Sequence, residues 1–169
     1  MTLVLKSMSH LPQDQDGDIT SAVIFLHGYG ANGADLMGMA EVLADHMPGT
    51  LFLAPDAPET TVMASMGLQW FPIPWIDGSS EEDSANGLRA ASEDLNAYLD
   101  GVMVDYDLLP EQVIIFGFSQ GTMMALHVAP RREDPVAGVV AFSGRLLQAE
   151  ALHDDVQSMM PIQIGRAHV

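Results

Sequence analysis

The stretch VIIFGFSQGTMMALHVA, Val113 to Ala129, constrains the fold more than any other in this chain. A short apolar run reads as a buried strand. A glycine-flanked turn follows, and then an apolar segment of helical length. A strand feeding directly into a helix is the building unit of parallel sheets. The turn places Ser119 at its tip, at the start of the following helix. There the free N–H groups and the helix dipole favour developing negative charge. Gly117-Phe118-Ser119-Gln120-Gly121 fits G-x-S-x-G, a pattern that requires a strand before it and a helix after it. The glycines permit a strained turn and close backbone approach. The plain alternative is a glycine turn with a capping serine.

The rest of the chain repeats the strand–helix alternation. Ala22 to Leu26, Thr50 to Ala54 and Val136 to Phe142 read as strands, and PIQI at Pro161 opens another. From Asp35, Leu36, Met39, Ala40 and Leu43 share one helix face. Residues 81–106 read as a longer helix, with Ser80 as N-cap and three acidic residues in its first turn. Asp14 to Asp18 reads as a polar turn. Residues 56–80 carry three prolines and both tryptophans with little periodicity, and read as a long loop of functional type. Strands that are continuously apolar predict a mostly parallel sheet covered on both faces.

Composition narrows the function. The 169 residues predict one domain with a substantial core. Six Lys and Arg stand against 23 Asp and Glu, a net charge of −17 that repels nucleic acid and anionic lipid. The acid excess reads first as a solubility device, with a cationic partner as the alternative. Cysteine is absent, which removes disulfides, thiolate metal sites and a cysteine nucleophile. No apolar run has the length of a membrane span, and no leader pattern opens the chain. A cytoplasmic location is the default expectation.

A serine hydroxyl needs a base, and acyl transfer needs two N–H donors for the tetrahedral oxyanion. In this pattern one donor is the residue after the nucleophile, here Gln120, and the other comes from an early strand-to-helix loop. Phe25-Leu26-His27-Gly28-Tyr29-Gly30 is such a loop. His27 within it reads as structural rather than catalytic.

With these pieces in place, the chain resembles the α/β-hydrolase family of phospholipase/carboxylesterases, which includes acyl-protein thioesterases. The resemblance rests on FLHGYGANGADL (25–36), LAPDAP (53–58), GLQWFP (67–72), GFSQGTMMALH (117–127) and AFSGRL (141–146). It implies an α/β-hydrolase fold with a mostly parallel sheet and helices on both faces. It implies hydrolysis of carboxylic esters or thioesters through an acyl-enzyme on Ser119. It implies an oxyanion hole from the backbone N–H groups of Tyr29 and Gln120. The loop with Gln69, Trp70 and Phe71 would line the acyl site; plain loop packing is the alternative for Trp70 and Phe71. No metal or organic cofactor is implied. The partner is a small-molecule or lipid-like ester; a homodimer is compatible with the sequence, which does not decide it.

In this fold the triad runs Ser, then Asp or Glu, then His. The family carries its Asp in a segment resembling H-G-x-x-D after the next strand, and its His later still. Here PIQIGRAHV stands where that region begins. His127 lies eight residues along the helix from Ser119, roughly 12 Å away at helical rise. His153 reads as polar surface, and His168 is the penultimate residue. None is expected to be the base. Ile164 to Val169 and a stop can be written ATC GGA AGA GCA CAC GTC TGA, one frame of a common sequencing adapter. The expectation is an incomplete α/β-hydrolase domain over 1–163, its last strands and helices missing, and a non-native tail over 164–169. Such a chain would lack the triad Asp and His and would be inactive.

Overall fold

Successive residues of the central strands point to two different cores, which is why those strands read as continuously apolar. The computed structural model describes residues 5–12, 18–61 and 67–166. The turn expected at Asp14 to Asp18 and the end of the tail, including His168, lie outside the described residues, Asp18 excepted.

A six-stranded sheet has the order β1-β3-β2-β6-β7-β8. Its strands are β1 (Ser7–His10), β2 (Ser21–Leu26), β3 (Thr50–Pro55), β6 (Val113–Phe118), β7 (Gly138–Phe142) and β8 (Ile162–Gly165). Only β1 is antiparallel, pairing with β3 from Ser7↔Pro55 to His10↔Phe52. The pairs β3–β2, β2–β6, β6–β7 and β7–β8 are parallel. The sheet is therefore mixed but mostly parallel, as expected.

Helices cover both faces. Ala22, Ile24 and Leu26 of β2, Leu51 and Leu53 of β3 and Val113 and Ile115 of β6 join one core. That core is closed by α3 (Glu81–Asp105) through Leu88, Leu95, Tyr98 and Leu99, and by α4 (Gln120–Val128) through Met124, Ala125 and Val128. The alternate residues Val23, Phe25, Phe52 and Ala54 pack with α1 (Ala34–Ala44), which contributes the expected Leu36, Met39, Ala40 and Leu43. Ser80 caps α3 in a reciprocal box. Its hydroxyl accepts from the Asp83 N–H at 3.0 Å, while the Asp83 carboxylate accepts from the Ser80 N–H.

Three differences from the sequence reading have physical causes. β1 carries no apolar alternation; backbone pairing to β3 makes it a strand. The segment 56–80 is not featureless: it holds a small hairpin, β4 (Glu59–Thr60) with β5 (Leu68–Gln69), and a single helical turn, α2 (Pro74–Asp77). Elements of two to four residues are too short to produce a period. A short helix, α5 (Ala149–Asp155), lies between β7 and β8 and carries the exposed His153. The strand expected from PIQI at Pro161 is β8, which continues through Ile164 and Gly165 because a parallel ladder uses backbone groups alone.

Candidate active site

The chain passes from β6 to α4 through one residue. Ser119 has φ 53° and ψ −113°, outside the regions open to an ordinary L-residue. Such a conformation costs on the order of 1–3 kcal/mol and persists only where its surroundings enforce it. Here they do. The Ser119 N–H donates to the Phe142 carbonyl at the end of β7 (2.9 Å), and the Ser119 carbonyl accepts from the Met123 N–H. Thr122 Oγ1 lies 2.6 Å from the Gly117 carbonyl and 2.7 Å from that of Phe142 and shares its one proton between them. The two motif glycines serve close approach rather than unusual dihedrals. A Cβ on Gly117 would lie 2.5 Å from Thr122 Cα, and one on Gly121 would lie 1.9 Å from the Leu26 carbonyl oxygen. The Ser119 side chain makes no capping bond to α4, so its hydroxyl is not spent on the helix.

Facing the serine is the loop that leaves β2. Gly28 approaches so closely that a Cβ there would lie 3.2 Å from Ser119 Cβ. His27 is wholly buried, and both ring nitrogens are engaged. Nε2 accepts from the Ala57 N–H (3.0 Å), and Nδ1–H donates to the Gly28 carbonyl (2.8 Å). Burial lowers its pKa and keeps it neutral. This is the structural histidine the sequence suggested. The loop is fixed from the other side as well: the Gly30 N–H donates to the Leu68 carbonyl, and the Leu68 N–H to the Ala31 carbonyl. No hydrogen bond among the described residues occupies the backbone N–H of Tyr29 or Gln120.

Trp70 and Phe71 lie in the packed interior, 0% and 2% exposed. Their polar groups meet Gln120, whose side chain is itself fully buried. Gln120 Oε1 accepts from the Trp70 N–H (3.0 Å), and Nε2 donates to the Phe71 carbonyl (2.7 Å). The Trp70 indole N–H donates to the His27 carbonyl. One side chain thus ties the Ser119 turn to the 67–72 segment, and one indole ties that segment to the Gly28 loop. Sequence reasoning gave Gln120 only its backbone N–H and missed Thr122; the signal available was a polar residue in the otherwise apolar run TMMALHVA.

Ser119 opens into a groove of about 310 Å³ lined by His27, Gly28, Tyr29, Leu36, Phe118 and others. A larger cavity, about 630 Å³ between the β4–β5 hairpin and the start of α3, does not include Ser119. Among the described residues the groove holds one histidine, His27. His127 packs elsewhere, beside a cavity lined by Arg89, Asn96 and Arg131. Tyr29 reaches across to α2, where its hydroxyl donates to Asp77 Oδ2 at 3.5 Å.

Known proteins share this chain's sequence pattern and its fold. The Phospholipase/Carboxylesterase family model matches residues 13–169. Acyl-protein thioesterase 1 of Mycosarcoma maydis is 30% identical over 162 residues, which cover 88% of this chain and 68% of that protein. The crystal structure of esterase PE8 superposes with a TM-score of 0.84 at 31% identity, covering 96% of this chain and 73% of that one. The Zea mays acyl-protein thioesterase 2 structure shares the fold at a TM-score of 0.67 and 22% identity, covering 94% and 73%.

Proposed function

Because the chain belongs to the phospholipase/carboxylesterase family of α/β-hydrolases, we propose that it carries the nucleophile and oxyanion half of a serine esterase or thioesterase. Ser119 Oγ gives its proton to a base as it attacks the carbonyl carbon of a carboxylic ester or thioester. The carbonyl oxygen becomes an oxyanion and accepts hydrogen bonds from the Tyr29 and Gln120 N–H groups, with the start of α4 adding its dipole. Collapse expels the alcohol or thiol, which takes a proton from the base; water then cleaves the acyl-enzyme. The observation that carries this reading is Ser119 itself, held at φ 53° with its hydroxyl free of the helix cap.

The base and its carboxylate are not supplied by the described residues around Ser119. We place them C-terminal to β8, in the part of the fold that follows it in the order Ser, Asp, His. A chain without them retains at best the roughly 10³–10⁴-fold acceleration over water that binding and an oxyanion hole give. The engaged state of His27 also supports a second reading, a non-catalytic binding protein that keeps the pocket.

A fluorophosphonate probe separates the two. The source DNA would be read across the codons for Pro161 to Val169, and both this chain and the extended reading frame expressed. The esterase reading expects strong labelling of the extended protein and its loss in Ser119→Ala. Labelling that survives Ser119→Ala removes Ser119 as nucleophile. A genuine stop after Val169, with no labelling, favours the binding protein.

A further inference from the structure

The cavity of about 630 Å³ between the β4–β5 hairpin and the start of α3 is lined by Glu59, Asp77 and Asp83, and by no basic or aromatic residue. Glu59 comes from β4, Asp77 from the end of α2 and Asp83 from the first turn of α3. Each carboxylate already accepts hydrogen bonds, and every donor is neutral. Gln69 Nε2 donates to Glu59 (2.9 Å). The Ile73 and Ser79 N–H groups and the Tyr29 hydroxyl donate to Asp77, and the Ser80 N–H and hydroxyl to Asp83. The ion pairs of the described residues lie elsewhere: Lys6 with Asp56, Arg131 with Asp155 and Arg132 with Asp100. Arg145 lies over Trp75 of α2 but does not line this cavity. Three negative charges thus line one space, and no cation among its lining residues offsets them.

A buried neutral group favours the same kind of guest. Gln69 lines the cavity and is 6% exposed. Its Nε2 is given to Glu59, which fixes Oε1 as the free acceptor: the reversed amide would set an oxygen against a carboxylate. That Oε1 is buried and has no hydrogen-bond partner among the described residues. A buried carbonyl oxygen without a donor is destabilising, and a donor on a ligand removes the penalty.

We propose that this cavity binds a primary aliphatic ammonium, whose N–H groups donate to Gln69 Oε1 and the Glu59 carboxylate while its methylene stem lies against Pro72 and Ala90. The site is separate from Ser119 and does not depend on the reading of that serine. A bare metal ion fits less well, since no group of three or more His, Cys, Asp or Glu among the described residues could hold one. A quaternary ammonium also fits less well: it has no N–H for Gln69, and the cavity offers it no aromatic face. The net charge of −17 draws every cation toward the surface, but only one with N–H donors gains from Gln69.

Pentylamine, pentan-1-ol and pentyltrimethylammonium share one stem and differ in the head group. Each is titrated near neutral pH into the full chain, followed by the NMR signals of the Gln69 side-chain amide. Pentylamine should shift those signals and bind about tenfold more tightly than either of the others. Added salt should weaken it. Glu59→Gln keeps an acceptor for Gln69 Nε2 and removes one charge; it should cost pentylamine about tenfold and leave pentan-1-ol unchanged. Equal binding of the two cations would reduce the effect to diffuse attraction by an acidic surface and overturn the inference. So would shifts that bypass Gln69, or an unchanged affinity in folded Glu59→Gln. Should that variant not fold, the Gln69 signals of the parent under the three ligands decide alone. Nα-acetyl-lysine methylamide carries the same ammonium on a peptide unit. If it binds as tightly as pentylamine, the guest is a lysine side chain; if it binds more weakly, the guest is a free amine.

Discussion

Gln120 couples a local motif to a distant loop. Its amide is the sole partner that the structure gives the Trp70 N–H and the Phe71 carbonyl among the described residues. Gln120→Ala would leave both buried and unpaired, at about 1–3 kcal/mol for each group. We expect a loss of at least about 2 kcal/mol in urea unfolding. His127 makes a different prediction. It is 8% exposed with no partner for Nδ1, and burial, with Arg131 adding to it, lowers its pKa to about 4 against the opposing pull of Asp155. Between about 4 and 6.5 the unfolded chain therefore binds a proton that the folded chain refuses. The contribution of neutral His127 is complete above pH 6.5 and is lost as pH falls toward 4. His127→Gln should flatten this part of the stability profile relative to the parent, read from urea midpoints at a series of pH values. The elbow was legible in the sequence because G-x-S-x-G is local. The roles of the Gln120 side chain and Thr122 were not, because their partners lie 20 to 50 positions away along the chain.

At the scale of elements, glycines with the same name do opposite work. Gly121 opens α4 against the end of β2, where a Cβ would collide with the Leu26 carbonyl at 1.9 Å, and backbone cannot step aside. Gly38 is exposed in the middle of α1 with nothing within 4 Å of such a Cβ. Gly121→Ala should fail to give folded protein. Gly38→Ala should stabilise by about 0.5–1 kcal/mol, since it only removes a helix penalty. Thermal unfolding of the two variants checks both signs. The long elements were readable because their periodicity and caps are properties of contiguous residues: Ser80 and the three acids after it marked the start of α3 correctly. β1, the β4–β5 hairpin and α2 were not, because each is defined by what it lies against.

Across the whole molecule, β8 forms one edge of the sheet and pairs only with β7 among the described residues. Ile164 on it is 70% exposed, and Met159 just before it is 85% exposed. An apolar strand edge is a template for self-pairing. Ile164→Lys should shift sedimentation of this chain toward a monodisperse species, whereas a parent already monodisperse at high concentration would refute the liability. The sequence by itself determined the alternating β/α order, the mostly parallel sheet, the strand-to-helix turn at Ser119 and the loop facing it, because each is encoded by neighbouring residues whose period or glycine spacing has one structural solution. Tertiary structure alone decided that Trp70 and Phe71 brace the interior, that both nitrogens of His27 are committed, and that the Arg145 guanidinium lies over the Trp75 ring. Those facts depend on backbone and side-chain groups brought together only when strands far apart in the chain are set side by side.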